Sequence, residues 1–456
     1  MSRIGLIGEN SIEYIGKLLD IWNSGNCAVL IDWRIPFQTA VEMMEEAGVS
    51  SCYLENAKYE IKEPSAEINF ITYEKKSNSA GLLPTEIYDK FKSNYSRNEA
   101  IVLYSSGTTG KAKGIILSHY AINTNADAII DYMKPSDTDC IYIAKVLSHS
   151  STLTGELLVS LKTKIKLIVA PTIVPPRFVF KNIDKFGVSI ICLNPTLLQK
   201  FSEEYATGKY TIPTLKTIYV SGSILSDKVY SAAHSTFKDI AIYNVYGISE
   251  AGPRVTAQHA DCCKSNSVGK PIKGVEIQIF DDEGNPLNQG ERGVVHVNTP
   301  SLFDGYIVGN EKNKSLYDGW LNTGDIGFID KNNELHIVDR LDDVIVIDSY
   351  KIYPSEVEKQ VSLLFPITEC AVMGIELKDY STMIVCFYCG EPIDDRNIKT
   401  ILTSVLALHE IPKVFIRKEK LIKTQNGKLD KQTIKNNFES NTLNTQIKSK
   451  GETIYE

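Results

Sequence analysis

The stretch Tyr104-Ser105-Ser106-Gly107-Thr108-Thr109-Gly110-Lys111-Ala112-Lys113-Gly114 gathers glycines, hydroxyl side chains and lysines directly after the apolar run Ile101-Val102-Leu103. Glycine lets backbone N–H groups approach an anion closely, and serine, threonine and lysine add donors at the same place. That is the chemistry of a polyphosphate cradle. Gly107 and Lys111 do not stand at the G-x-x-x-x-G-K-[ST] spacing, which disfavours a Walker-type loop and with it a kinase or ATPase of that class.

Such a loop needs a strand before it and a scaffold around it. Ile4 to Ile7 is apolar, Asn10 or Ser11 can cap a helix with Ile12, Ile15, Leu19 and Trp22 on one face, and Cys27 to Ile31 is apolar again. This is a βαβ unit. The alternation repeats through Ala100–Tyr104, Ala121–Tyr132, Ile165–Ala170, Val188–Cys192 and Thr217–Val220, which predicts an α/β fold of parallel sheets flanked by helices. From about Val268 the pattern changes. Glu276-Ile277-Gln278-Ile279-Phe280, a turn at Asp282–Pro286 and Gly293–Val297 predict a small antiparallel, barrel-like β piece over about 268–341. A helix over 354–365 then opens a small α+β domain, expected at 342–440 after a large domain at 1–341, with a polar tail at 441–456.

Bulk properties narrow the classes. The 456 residues are 43% hydrophobic and 23% charged, within the globular range, and the formal charge of −7 exerts no pull on nucleic acid or anionic membrane. No apolar run approaches a membrane span, and the expected compartment is the cytoplasm. Nine scattered cysteines, two of them adjacent at Cys262-Cys263, do not form a disulfide framework. The one C-x-x-C pair, Cys386 and Cys389, lies in an apolar run that reads as a buried strand in preference to a metal or redox site.

Four further stretches follow the phosphate loop in order: Tyr243-Asn244-Val245-Tyr246-Gly247-Ile248-Ser249-Glu250, Tyr317-Asp318-Gly319-Trp320-Leu321-Asn322-Thr323-Gly324-Asp325, Val338-Asp339-Arg340-Leu341-Asp342-Asp343, and Leu421 to Lys431 with Gly427-Lys428. With the loop, they resemble the motifs T-S-G-T-T-G-x-P-K-G, N-x-Y-G-x-T-E, D-G-W-x-x-T-G-D, G-R-x-D-D and P-x-T-x-x-G-K-x-D-R. These mark the adenylate-forming superfamily of acyl-CoA and aryl-CoA synthetases, firefly luciferase and nonribosomal peptide adenylation domains. The resemblance runs from Ile4 to Lys431 and lacks an N-terminal portion that many members carry, implying a compact version.

The resemblance implies a mobile C-terminal domain and assigns roles. ATP phosphates would lie against Ser105, Ser106, Gly107, Thr108, Thr109, Gly110 and Lys113. Tyr246 would stack on adenine, Asn244 would bond its amino group, Gly247 would belong to the same nucleotide site, and Ser249 would face the phosphate. Glu250 would hold Mg²⁺, Asp325 the ribose hydroxyls and Arg340 ribose or phosphate, with Asp342 as hinge and Lys428 as the catalytic cation. A hard carboxylate for a hard cation, and a compact ammonium where charge builds on phosphate, are sound chemistry. Ala112 replaces the motif's proline, Asp339 its glycine, and Ser349 a glycine beside the pantetheine tunnel.

The implied reaction joins a carboxylic acid to AMP with loss of pyrophosphate, then passes the acyl group to a thiol of CoA or of a phosphopantetheine-bearing acyl, aryl or peptidyl carrier protein. His149 matches a histidine near the substrate carboxylate, with Ser150, Ser221, Gly222 and Ser223 around the acyl group. Val146 to Thr152 holds no acid to pair an α-ammonium, so an amino acid substrate is not expected. The hydroxyls favour a polar aryl or a short to medium acid. A non-catalytic member that binds nucleotide or a carrier protein is the alternative, and a monomer or dimer is expected.

Overall fold

In the computed structural model the described residues are 1–56, 68–105, 112–172, 175–260, 262, 267–308, 316–347, 350–363, 367–376, 382–424 and 428–442. The expected βαβ unit opens the chain. Strand Arg3–Ile7 pairs parallel with Cys27–Ile31, and the helix between them, Ile12–Asn23, is capped by Ser11, whose Oγ accepts from Tyr14 N at 3.0 Å. Asn10 does not cap the helix; its side chain ties this corner to Lys145 and Leu147.

Two sheets follow from the apolar runs. The first orders its strands Gly305–Tyr306, Lys113–Ser118, Glu99–Ser105, Cys27–Ile31, Arg3–Ile7, Ser51–Glu55 and Asn69–Tyr73. The second runs Lys270–Pro271, Arg254–Ala257, Ala241–Gly247, Thr217–Val220, Ile190–Leu193, Cys140–Ile143, Lys166–Val169 and Gly81–Leu82. Their interior pairings are parallel, and antiparallel pairings lie toward the edges. Strands buried on both faces have no need to alternate, which is why Cys27–Ile31 is apolar at every position.

One hydrophobic core draws on both sheets, from Leu6 through Tyr219 and Val245 to Leu335. The antiparallel piece is a hairpin of Glu276–Phe280 and Gly293–Asn298 continued by Trp320–Ile329 and Leu335–Arg340. Residues beyond 344 build separate cores around a sheet of Ile367–Glu376, Thr382–Gly390 and Val414–Arg417. The helix expected over 354–365 spans Pro354–Ser362. Cys386 and Cys389 sit in Thr382–Gly390 and fall into different cores, so their thiols lie on opposite faces of one sheet. No helix among the described residues is long and apolar enough to cross a membrane.

Candidate active site

The nucleotide end is built on two facing strands. Trp320–Ile329 and Leu335–Arg340 pair antiparallel with Asp325 directly opposite Arg340, and Arg340 Nη1 donates to Asp325 Oδ1 at 2.8 Å and to Thr323 O at 3.3 Å. Tyr246, near the end of Ala241–Gly247, donates its hydroxyl to Asp325 Oδ2. Burial, and then the Asp325 charge, push the Tyr246 phenol well above its usual range. It is therefore a fixed donor at physiological pH. Burial opposes the Arg340 charge, yet the bond to Asp325 outweighs it and raises the pKa. Each carboxylate oxygen keeps a second lone pair, so Asp325 can still accept from a pair of vicinal hydroxyls.

Close backbone packing explains the glycine after Tyr246. A Cβ on Gly247 would stand 2.0 Å from the Pro253 carbonyl oxygen. Asn244 is buried, and its amide nitrogen donates to Ser267 O at 3.1 Å, which orients its side chain. Strand alternation puts it on the face opposite Tyr243 and Val245, which belong to the main core.

At the phosphate end, Glu250 lies in the turn Ser249–Ala251, and its Oε1 accepts from Tyr306 Oη at 3.0 Å while its carbonyl accepts from Phe303 N at 2.9 Å. Tyr306 belongs to a short strand paired with Ile115 and Ile116, and Lys113 Nζ stands 5.6 Å from its ring centroid. Ser105 and Lys113 are strand residues facing each other at the base of the loop. Ser106, Gly107, Thr108, Thr109 and Gly110 lie outside the described residues, as does Ser349. One carboxylate joined by phosphate oxygens is a normal way to hold Mg²⁺, so Glu250 fits that ion.

The residues expected around the acid lie where the parallel strands of the second sheet finish. Ser150 Oγ meets Ser249 Oγ at 2.9 Å, tying the two segments. His149 precedes the short helix Ser150–Thr152, half-buried, and acts electrostatically on Asp32, which Arg34 clamps at 2.5 Å. Ser221 faces Lys145 Nζ at 3.5 Å, whereas Gly222 and Ser223 are exposed beyond it. Lys145 also approaches Glu156 Oε1 at 3.4 Å.

Lys428 precedes Leu429, which forms an antiparallel bridge with Lys423. It is exposed, yet the protein around it and then the Arg340 charge lower its pKa, with Asp325 opposing. Residues far apart in the chain are thus in electrostatic contact. Two ion pairs also join residues before and after Asp342, Lys359–Asp227 at 2.6 Å and Arg292–Glu356 at 2.9 Å. Asp339 Oδ2 accepts from Ser355 N at 2.7 Å, in the first turn of Pro354–Ser362, which has no side-chain cap of its own. Asp342 is exposed in the turn Leu341–Asp343.

Residues 1–307 match the family model described as AMP-binding enzyme. The chain belongs to that family. A 4-coumarate–CoA ligase of Humulus lupulus is 28% identical over 342 residues, covering 72% of this chain and 62% of the relative. A 2-succinylbenzoate–CoA ligase of Bacillus cytotoxicus is 26% identical over 438 residues, covering 94% and 86%. ATP-bound MatB from Rhodopseudomonas palustris superposes with a TM-score of 0.84 at 20% identity, covering 96% of this chain and 88% of that one. The chain spans about three fifths of the length of several of the curated relatives it matches.

Sequence reasoning misses Tyr306, Lys145, Glu156 and Arg254, which lie beside the expected site residues. Tyr306 offers no signal beyond the short run Asp304-Gly305-Tyr306. Asp339 stands out only as a departure from the motif, and the structure gives it a bond. Glu156 carries one signal, a charged residue inside the largely apolar run Leu153-Thr154-Gly155-Glu156-Leu157-Leu158, and Arg254 carries none.

Proposed function

We propose that the chain activates a carboxylic acid with ATP, forming an acyl-adenylate and pyrophosphate, and then transfers the acyl group to the thiol of CoA. The observation that carries this reading is the electrostatic coupling of Lys428 to the hydrogen-bonded Asp325–Arg340 pair. A cation beside a separate core thus feels the charges of the residues suited to the ribose.

In this reading the substrate carboxylate attacks the α-phosphorus of ATP and pyrophosphate departs in line. Tyr246 and Asp325 fix the nucleoside, and Lys113 meets the polyphosphate. Lys428 stabilises the charge that builds between the carboxylate and the α-phosphate. Mg²⁺ at Glu250 would neutralise phosphate charge, with Tyr306 orienting that carboxylate. His149 stands on the side of the acid, beside Ser150. A hinge at Asp342, between a domain at 1–341 and one at 342–440, would then turn Lys428 away for the second step. The exposure of Asp342 supports that, and the motion would have to break the bond from Ser355 N to the buried Asp339.

Acid-dependent exchange of labelled pyrophosphate into ATP, run over aryl, short and medium-chain acids, tests the first step. Exchange with at least one acid is expected; release of inorganic phosphate without exchange contradicts it. Supplying CoA and, separately, a phosphopantetheine carrier protein identifies the acceptor. Asp342→Pro is expected to retain exchange and lose thioester formation, and equal loss of both would remove the hinge role.

A further inference from the structure

Behind the acid end lies a buried polar cluster that the adenylation chemistry does not use. Glu156 is fully buried, and neither of its carboxylate oxygens makes a hydrogen bond among the described residues. The Lys145 ammonium at 3.4 Å is an ion pair without hydrogen-bond geometry. Thr152 and Thr154, on the same segment, likewise have buried hydroxyls without partners among the described residues. The segment Leu153–Leu158 is π-helical, a form that recurs at functional sites. Burial pushes the Glu156 carboxyl up to about 7, against the pull of Lys145 and Arg254. A buried carboxylate in want of donors is costly in any fold, and native proteins rarely keep one without a use.

The position indicates what the use is. Lys145 follows Cys140–Ile143 and Ser221 follows Thr217–Val220, so both stand at the carboxyl ends of parallel strands, where α/β sheets bind ligands. Lys145 bridges Ser221 and Glu156, which links the expected acid site to the buried cluster. On the far side Arg254 is buried, already donates to Tyr132 Oη at 2.7 Å, and packs against Gly155.

The chemistry of the occupant follows from what is missing. An ammonium would meet two cations, Lys145 and Arg254, beside one carboxylate. A second carboxylate would meet Glu156 itself. A neutral group with a proton to give meets neither objection and supplies what Glu156 lacks. We propose that Glu156, oriented by Lys145, determines acid specificity by accepting a hydrogen bond from a neutral donor, a hydroxyl or uncharged amino group, on the substrate away from its reacting carboxylate. This inference rests on the acid-activating reading above.

The test compares matched benzoic and cinnamic acids bearing a hydroxyl, a methoxy group, a hydrogen or a second carboxylate, by kcat/KM in pyrophosphate exchange. Bonds to charged groups predict that the hydroxyl acid exceeds its methoxy and unsubstituted partners roughly 10- to 100-fold. In Glu156→Gln and Glu156→Leu, with thermal unfolding monitored, that ratio is expected to fall toward one. The wild-type comparison needs no variant to fold. Exchange with no hydroxyl preference, a preference for the dicarboxylate, or an unchanged ratio in folded variants overturns the inference alone. Silence with every acid overturns the adenylating reading, and this one with it.

Discussion

The two ends of the site handle buried charge in opposite ways. Around Asp325, both carboxylate oxygens are engaged, by Arg340 and by Tyr246, and strand register places the ion pair. Around Glu156 the carboxylate is as deeply buried and has no hydrogen bond among the described residues. The first end is complete before any ligand arrives, as suits a nucleotide that is always the same. The second is left in deficit, as suits a pocket completed by one particular acid. Pre-organisation lowers the cost of binding, whereas an unpaired group discriminates between ligands.

The largest expected break of this contrast is Asp325→Ala. It leaves Arg340 and Tyr246 without their shared acceptor, and loss of bonds to a charged group predicts an ATP KM raised roughly 10- to 100-fold. Steady-state kinetics in ATP would show it, and an unchanged KM removes Asp325 from the nucleotide site.

Glu156→Gln should sharpen the contrast through pH. A carboxyl whose folded pKa is about 7, against an ordinary 4.5, holds its proton more tightly when folded. Its contribution to stability is therefore lost as pH rises from about 4.5 to about 7 and stays lost above that. The groups facing it are Lys145, Arg254 and the Cys192 thiol. Denaturant titrations at pH 5 and pH 8 should show a fall of roughly 1–3 kcal/mol in the wild type, by linkage, that shrinks in the Gln variant. Equal slopes in the two proteins would mean Glu156 is ionised throughout.

Asp339→Gly should have the smallest effect. Removing the acceptor for Ser355 N resembles loss of a helix cap, worth about 1 kcal/mol. Differential scanning calorimetry resolves a change of that size. No shift would mean that water replaces the carboxylate at no cost.

The same contrast explains what could be read from residues alone. The nucleotide end is written in short contiguous runs, because a ribose and a phosphate chain are met by turns and strand ends only a few residues long. Asp325, Arg340 and Lys428 stand out in the sequence for that reason, and the first βαβ unit with its cap at Ser11, read from apolar runs, is present in the fold. The contacts of Asn244 with Ser267 and Gln258 are not legible there, since they join segments that no local spacing relates. The acid end draws on Lys145, Glu156, Ser221 and Arg254, which no local spacing relates. The stretch Val146 to Thr152 stops just short of Glu156, and only folding links that acid, through Lys145, to Ser221. Asp339 read as a departure from pattern, and its bond to Ser355 becomes visible only once the two cores are set side by side.

The central claim is that Lys428 completes a nucleotide site that then joins an acid to AMP. Mass-spectrometric detection of acyl-AMP in a single turnover, with ATP, Mg²⁺ and an acid active in exchange, tests it most directly. The account predicts an acyl-AMP peak in the wild type, reduced about 100- to 1000-fold in Lys428→Ala, the scale for removing one group that stabilises transition-state charge. ADP in place of acyl-AMP, or an undiminished peak in Lys428→Ala, would contradict it.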